Sequence, residues 1–188
     1  MRIGIYGGSF NPIHKGHTNL AHSLVEQGLV DEMWLLVSPL NPLKQESSGD
    51  IADYQHRIRM AELAVEGLGG LKVSDFESRL PVPSYTITTL NELKTAFPKH
   101  DFTLVIGADN WTSFSRWYKA DEIVKNYSII IYRREGYDVD ATALPANVVI
   151  ADTPLYNISS TEIRRGNGSD FLDEKVAEYI VSHNLYSR

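Results

Sequence analysis

Residues 3–17 of the chain read Ile-Gly-Ile-Tyr-Gly-Gly-Ser-Phe-Asn-Pro-Ile-His-Lys-Gly-His, which combines a strand, a turn and a helix start. The apolar run at residues 3–6 predicts a β-strand, and the glycines after it predict a tight turn. His14 and His17 stand three residues apart where a helical pattern begins, so they share one face of that helix. Backbone N–H groups at a helix N-terminus favour anions. The stretch therefore predicts a site that holds phosphate.

Other interpretations of these residues stay open at the level of sequence. Gly7, Gly8 and Ser9 also fit an ordinary glycine turn, because their spacing matches neither the G-x-G-x-x-G fingerprint nor a Walker A loop. The two histidines could instead be structural or bind a metal ion, although no third ligand stands nearby in the sequence.

Composition and charge exclude several classes of protein. The chain has 188 residues, 43% of them hydrophobic and 22% charged, which predicts one globular domain over residues 1–188. The absence of cysteine excludes disulfides, thiolate metal sites and a cysteine nucleophile. A net charge of −6, without a basic cluster, argues against nucleic acid as the main partner.

No apolar run is long enough to span a membrane and no signal peptide is recognisable, so we expect a cytoplasmic protein. Association into a homo-oligomer stays open.

Apolar, β-branched runs alternate with segments of helical spacing along the chain. The runs cover residues 3–6, 33–38, 71–74, 102–106, 127–133 and 148–151. Gly28 and Pro98 stand where two of the intervening helices should end. This alternation predicts an α/β fold with a doubly wound parallel sheet, covered by helices on both faces. Ligands bind such sheets at the carboxyl ends of the strands, which is where the glycine turn and the histidines fall.

A second motif near the other end of the chain makes a family resemblance specific. Residues 7–17 resemble the signature of the nucleotidyltransferase superfamily, in which His-x-x-His follows the first strand. Residues 158–164, Ile-Ser-Ser-Thr-Glu-Ile-Arg, resemble the second motif of that superfamily, Ile-Ser-x-Thr-x-Ile-Arg. The resemblance implies a Rossmann-like nucleotidyltransferase fold. Asn11 departs from the common pattern, which has Asp, although Asn can also hydrogen-bond in such a turn.

Segments between the two motifs resemble the bacterial nicotinate-nucleotide adenylyltransferase family. They are Ser84-Tyr85-Thr86, residues 106–109, Trp117-Tyr118 and Arg133-Arg134, and the resemblance covers essentially the whole chain. In that family ATP and nicotinate mononucleotide give deamido-NAD and pyrophosphate, with Mg²⁺ expected to arrive bound to ATP. Two alternatives stay open: another adenylyl- or cytidylyltransferase, for example one that uses phosphopantetheine, and a nucleotide-binding module without turnover.

The resemblance implies roles for particular residues of this chain. His14 and His17 are the expected catalytic pair, which contacts the transition state. ATP is expected to contact Gly7, Gly8, Ser9, Phe10, His17, Asp109, Ser159, Ser160, Thr161 and Arg164. The mononucleotide is expected to contact Lys44, Tyr85, Thr86, Trp117, Tyr118, Arg133 and Arg134. No side chain is expected to be a dedicated metal ligand.

The start of the helix after residue 83 supports a preference for nicotinate over nicotinamide. Ser84 is the predicted N-cap, which would leave the amides of Tyr85 and Thr86 to face a ligand. An exposed pair of amides at the positive end of a helix dipole favours a carboxylate over a neutral carboxamide. Simple helix capping explains the same residues equally well.

Overall fold

The computed structural model describes residues 1–39 and 51–187, and its centre is one six-stranded sheet. The strands are β1 (Arg2–Gly8), β2 (Glu32–Val37), β3 (Leu71–Ser74), β4 (Asp101–Gly107), β5 (Ser128–Tyr132) and β6 (Val148–Ile150). Their order in the sheet is β3-β2-β1-β4-β5-β6, and every neighbouring pair is parallel. The prediction of a doubly wound parallel sheet is confirmed, and each predicted strand lies within two residues of its observed bounds.

The helices lie on both faces of this sheet. They are α1 (Lys15–Glu26), α2 (Tyr54–Val65), α3 (Thr86–Ala96), α4 (Ala108–Thr112), α5 (Ala120–Asn126), α6 (Ser160–Arg164) and α7 (Glu174–Ser182). Apolar residues of α1, α2 and α7 pack into one core cluster, and those of α3 and α5 pack into a second. Buried residues at three- and four-residue spacing, such as Ile87, Leu90 and Leu93 in α3, explain why these segments are helical.

The two halves of the sheet meet between β1 and β4. After β1 the chain adds β2 and then β3 on one side of it. It then returns to the other side of β1, where it adds β4, β5 and β6 in turn. At such a switch point the loops after the two central strands diverge and open a crevice. The histidine motif follows β1 and Asp109 follows β4, so the fold directs both toward the same crevice.

Candidate active site

His14 and His17 form the N-terminal cap of α1. His14 is the capping residue, and its Nδ1 atom accepts a hydrogen bond of 3.1 Å from the N–H of Gly16. The Nδ1 atom of His17 accepts a hydrogen bond of 3.2 Å from the N–H of His14. The two imidazole rings stack with their centroids 3.8 Å apart. These bonds satisfy N–H groups that the helix start leaves unpaired, and they fix the orientation of both rings.

The same hydrogen bonds decide which nitrogen of each ring carries a proton. A ring nitrogen that accepts a hydrogen bond presents a lone pair, so the neutral ring carries its proton on Nε2. His14 is only 5% exposed, and burial, together with the charge of Arg134, lowers its pKa from 6.5 to about 4. His14 is therefore neutral at pH 7, with its Nε2–H as a donor.

The lowered pKa of His14 makes the fold sensitive to acid. The unfolded chain binds a proton at His14 below pH 6.5 and the folded protein only near pH 4, so stability falls as the pH drops through this window. The loss approaches roughly 3 kcal/mol, at about 1.4 kcal/mol per pKa unit. The free energy of unfolding is measured with urea at pH 7 and at pH 4. We expect it to fall less in the His14→Gln variant than in the wild type, by this amount. An equal fall in both proteins would contradict the burial of a neutral His14.

The second motif packs directly against the first. Ser160 Oγ donates a hydrogen bond of 2.9 Å to the carbonyl oxygen of Pro12. Arg164 Nη1 donates one of 2.8 Å to the carbonyl oxygen of Asn11. These two direct hydrogen bonds join residues that lie 148 and 153 positions apart in the sequence. The two motifs form a single structural unit.

Gly16 permits this close approach of the two motifs. A Cβ atom at this position would lie 2.9 Å from the His14 ring and 3.0 Å from Cγ2 of Ile158. Distances this short are not tolerated without movement of the neighbours, so the position between the two histidines requires glycine.

The side chain of Asn11 joins the first motif to two other parts of the chain. Asn11 is 1% exposed, and its Oδ1 atom accepts hydrogen bonds from the N–H of Ala52, at 3.0 Å, and from the hydroxyl of Tyr186, at 2.6 Å. An amide oxygen accepts both bonds as a carboxylate oxygen would. The departure from the Asp of the family motif therefore keeps these contacts.

A cavity of about 310 Å³ opens where the two motifs meet. Its walls include most of the residues predicted to be catalytic or to bind ATP: Gly7, Gly8, Ser9, Phe10, His14, His17, Asp109, Ser159, Ser160 and Thr161. Arg133 and Arg134, which are predicted to bind the mononucleotide, line it as well. Arg164 is not among the lining residues, and its guanidinium contacts Thr161 Oγ1 at 3.3 Å in addition to Asn11. Arg164 therefore stabilises the contact between the two motifs, whereas a contact of Arg164 with ATP stays a prediction.

The far wall of the cavity comes from the ends of β4 and β5. Arg134 Nε lies 3.5 Å from Oδ1 of Asp109. Gly107 makes room for this pair, because a Cβ atom there would collide with the Asp109 carboxylate and lie 3.1 Å from Tyr132. Burial opposes the charge of Arg134, but Tyr132, Asp109 and Tyr6 raise its pKa above the usual value. This wall therefore holds a permanent cation.

The predicted contacts of the pyridine ring form a second group at the start of α3. Tyr85, with φ −80° and ψ 147°, is the N-cap, so the prediction of Ser84 was wrong by one residue. No side chain of the described residues caps this helix start. The rings of Tyr85 and Tyr118 lie 4.6 Å apart, which joins two distant segments of the chain. Trp117 is half-buried and packs against Phe114 at 5.2 Å, so one of its ring contacts is already made within the protein.

Some residues fall outside this account and others were missed by sequence reasoning. Lys44 lies outside the described residues. The cavity is also lined by residues that the sequence analysis did not single out as site residues: Tyr6, Gly16, Leu20, Asn110, Tyr132, Tyr156 and Ile158. Tyr6 carried a signal, because a hydroxyl stands in an otherwise apolar strand directly before the glycine turn. Burial, with Tyr132 beside it, raises the pKa of Tyr6 well above its usual value, so Tyr6 stays protonated.

Two further properties concern the part of the chain that the structure describes. Within residues 1–39 and 51–187, no three His, Asp or Glu side chains cluster in a way that could hold a metal ion. In the same ranges, no helix combines the length and the apolar character needed to cross a bilayer.

The fold and the paired motifs at the switch point of the sheet define the class of protein, a nucleotidyltransferase. The cytidylyltransferase-like family model matches residues 5–166 of the chain. A Bacteroides fragilis protein described as "Probable nicotinate-nucleotide adenylyltransferase" is 48% identical over 187 residues, which is 100% of this chain and 90% of that protein. A Bacteroides thetaiotaomicron protein of the same description is 43% identical, over 96% of this chain and 91% of its own length. The chain belongs to the nicotinate-nucleotide adenylyltransferase family, and the family resemblance inferred from the motifs is confirmed.

A solved structure supports the fold independently. Plasmodium falciparum nicotinic acid mononucleotide adenylyltransferase, complexed with NaAD, superimposes with a TM-score of 0.83 at 22% sequence identity. The match covers 98% of this chain and 97% of that chain. At this level of identity the comparison concerns the fold.

Proposed function

We propose that this chain transfers the adenylyl group of ATP to nicotinate mononucleotide and so produces deamido-NAD and pyrophosphate. The observation that carries the proposal is the direct hydrogen bonding of Ser160 and Arg164 to the loop that precedes the histidine pair. One cavity thereby collects imidazole donors, hydroxyls and a guanidinium. The proposal treats residues 1–188 as one catalytic domain.

The triphosphate of ATP occupies this cavity in the proposal. The glycine turn offers a backbone that a ligand can approach closely, and Thr161 offers a hydroxyl on the facing motif, whereas the Ser159 hydroxyl donates to Oε2 of Glu162 at 3.0 Å. The Nδ1 atoms of His14 and His17 accept hydrogen bonds in the cap, so Nε2–H is the donor group of each ring. Mg²⁺ arrives with ATP as part of the substrate, because this ion prefers phosphate oxygens and water as ligands.

The reaction needs positioning and charge stabilisation more than proton transfer. The phosphate of the mononucleotide has its second pKa near ~6, so it is largely dianionic at neutral pH and needs no general base. It attacks the α-phosphorus in line as pyrophosphate leaves. Negative charge that develops on the phosphoryl oxygens is stabilised by the oriented histidine donors, which need no reorganisation during the reaction. A covalent intermediate is not required.

The acceptor lies between the cavity and the start of α3 in the proposal. Arg134, at the cavity wall, binds the phosphate of the mononucleotide, since a guanidinium donates two parallel hydrogen bonds to it. The first amides of α3 bind the carboxylate of nicotinate. Trp117 and Tyr118 contact the cationic pyridinium ring, an interaction worth about 0.5–2 kcal/mol.

The proposal is tested by measuring pyrophosphate release from Mg-ATP and a panel of acceptors. The panel contains nicotinate mononucleotide, nicotinamide mononucleotide and phosphopantetheine. We expect nicotinate mononucleotide to give the highest kcat/KM. Faster turnover with phosphopantetheine would assign a different transferase activity, and binding of ATP without pyrophosphate release from any acceptor would point to a nucleotide-binding module.

The Thr86→Pro variant is expected to weaken the discrimination between nicotinate and nicotinamide mononucleotides. Thr86 is the first residue of α3, a position at which proline keeps the helix but removes the amide N–H. The helix dipole and one charge-assisted hydrogen bond together favour the carboxylate by about tenfold or more, since ~1.4 kcal/mol is a factor of ten. We expect the ratio of the two kcat/KM values to fall in Thr86→Pro, which loses the hydrogen bond but keeps the helix dipole, and to stay as in the wild type in Thr86→Ala. Equal ratios in the two variants would contradict the assignment of the nicotinate carboxylate to the first amides of α3.

A further inference from the structure

Glu77 is a buried carboxylate that the proposed reaction does not use. It lies in the short turn Phe76–Arg79 between β3 and α3 and is 9% exposed. Its Oε2 atom accepts a hydrogen bond of 2.6 Å from Ser38 Oγ, and its Oε1 atom accepts one of 3.1 Å from Thr89 Oγ1. The two oxygens thus connect the end of β2 to the first turns of α3.

The Ser38 end of this connection is attached to the glycine turn of the candidate active site. The N–H of Ser38 donates a hydrogen bond of 2.9 Å to the carbonyl oxygen of Gly8. The buried guanidinium of Arg57 donates to the carbonyl oxygen of Ser38, at 2.7 Å, and to that of Ser9, at 2.8 Å. Ser38 therefore cannot move independently of the turn that lines the cavity.

The Thr89 end of the connection is attached to the start of α3. Thr89 N–H donates a hydrogen bond of 3.0 Å to the carbonyl oxygen of Tyr85, the residue that caps this helix. Thr89 itself is 2% exposed, and its hydroxyl donates to Glu77. A shift of Glu77 would therefore displace the amides of the proposed carboxylate site.

We propose that Glu77 is a positioning residue that fixes the start of α3 relative to the Gly8–Ser9 turn, and with it the distance between the two substrates. The inference rests on the proposed function, which assigns ATP to the turn and the nicotinate carboxylate to the helix start. Burial of a carboxylate carries a desolvation cost that hydrogen bonds from two hydroxyls only offset, so the fold alone gives weak reason for a carboxylate here. In-line attack, by contrast, depends on geometry, because a misplacement of about 1 Å can cost on the order of 10²-fold in rate.

The experiment compares two variants that each remove one hydrogen bond from α3 with a third that keeps it. Thr89→Val removes the bond to Glu77 and keeps the shape of the side chain, whereas Thr89→Ser keeps the hydroxyl. Tyr127→Phe is the matched control, because the Tyr127 hydroxyl donates a 2.7 Å hydrogen bond to Asn91 Oδ1 on the same helix, away from the turn. For each protein, Tm, kcat and the separate dissociation constants of nicotinate mononucleotide and of a non-hydrolysable ATP analogue are measured.

We expect Thr89→Val to lose about tenfold in kcat while each separate dissociation constant changes by less than about twofold, because both subsites persist but their alignment does not. Thr89→Ser should restore kcat, and Tyr127→Phe should lower Tm without a loss of kcat. The inference is overturned if Thr89→Val and Tyr127→Phe behave alike, or if Thr89→Ser is as slow as Thr89→Val. Absence of turnover in the wild type would refute the proposed function, and the positioning role would fall with it.

Discussion

The His17→Ala variant should lose about 10²–10³-fold in kcat, which is the cost of removing one preorganised donor to developing negative charge. His17 lines the cavity, and its ring is held by the stack on His14 at 3.8 Å and by the edge contact with Phe10 at 5.1 Å. The Nδ1 atom is used in the cap of α1, so Nε2 is the nitrogen that can donate to phosphate. The loss is measured as initial velocities of pyrophosphate release at saturating Mg-ATP and nicotinate mononucleotide.

A second histidine on the same helix supplies the control for His17. His22 lies further along α1, and its Nε2 atom is 3.4 Å from Oε1 of Glu26 at the surface. We expect His22→Ala to keep kcat within about a factor of two, as surface substitutions usually do. Because His17 also caps α1, Tm and circular dichroism are recorded for both variants. A folded His17→Ala protein with undiminished kcat would remove this imidazole from the mechanism.

The Arg134→Ala variant is expected to lose roughly 10- to 100-fold in kcat/KM for nicotinate mononucleotide, since a hydrogen bond to a charged group contributes about 1.5–3 kcal/mol. Arg134 lies at the cavity wall beside Asp109 and over the ring of Tyr132, with its guanidinium carbon 5.7 Å from the ring centroid. Its neighbours keep it charged, so it can hold a phosphate dianion in a fixed place. The effect should appear mainly in the KM of the mononucleotide.

Two comparisons make the Arg134 result interpretable. Arg133 also lines the cavity, but its guanidinium is directed toward Asp152, at 3.9 Å, and both side chains are largely exposed. We therefore expect a much smaller effect from Arg133→Ala than from Arg134→Ala. Arg134→Lys should recover only part of the activity, because an ammonium cannot make the two parallel bonds of a guanidinium. If Arg133→Ala proves the more damaging change, the phosphate lies nearer to the other arginine than we propose.

Most of the architecture was predictable because it depends on local pattern. The apolar runs placed all six strands, and Gly28, which has a φ of 68°, lies just beyond the end of α1 as predicted. The helix start at residue 86 was misplaced by one position, since Ser84 is a better capping side chain than Tyr85 but the backbone turns one residue later. Such errors arise because a cap is chosen by backbone angles, and these depend on the packing of the whole helix.

The candidate site was predictable in its residue types but not in its contacts. The two motifs identified the histidine pair and the Ser-Thr-x-x-Arg element, and the structure brings the histidines, Ser160 and Thr161 to one cavity. The sequence did not indicate that Arg164 braces Asn11, or that Tyr186 donates to the same residue from near the end of the chain. Glu77 was missed as well, because a lone Glu in a polar segment is ordinarily an exposed residue.

The sequence by itself determined the alternation of strands and helices, the residue types of the two motifs and the family, because periodicity and residue type are local properties of the chain. Only the tertiary structure decided that His14 is buried and neutral, that Arg134 lies beside Asp109 while Arg133 lies near Asp152, and that Glu77 joins the glycine turn to α3. Burial, electrostatic environment and hydrogen bonds between distant segments depend on how the elements pack, and no short stretch of sequence contains that information.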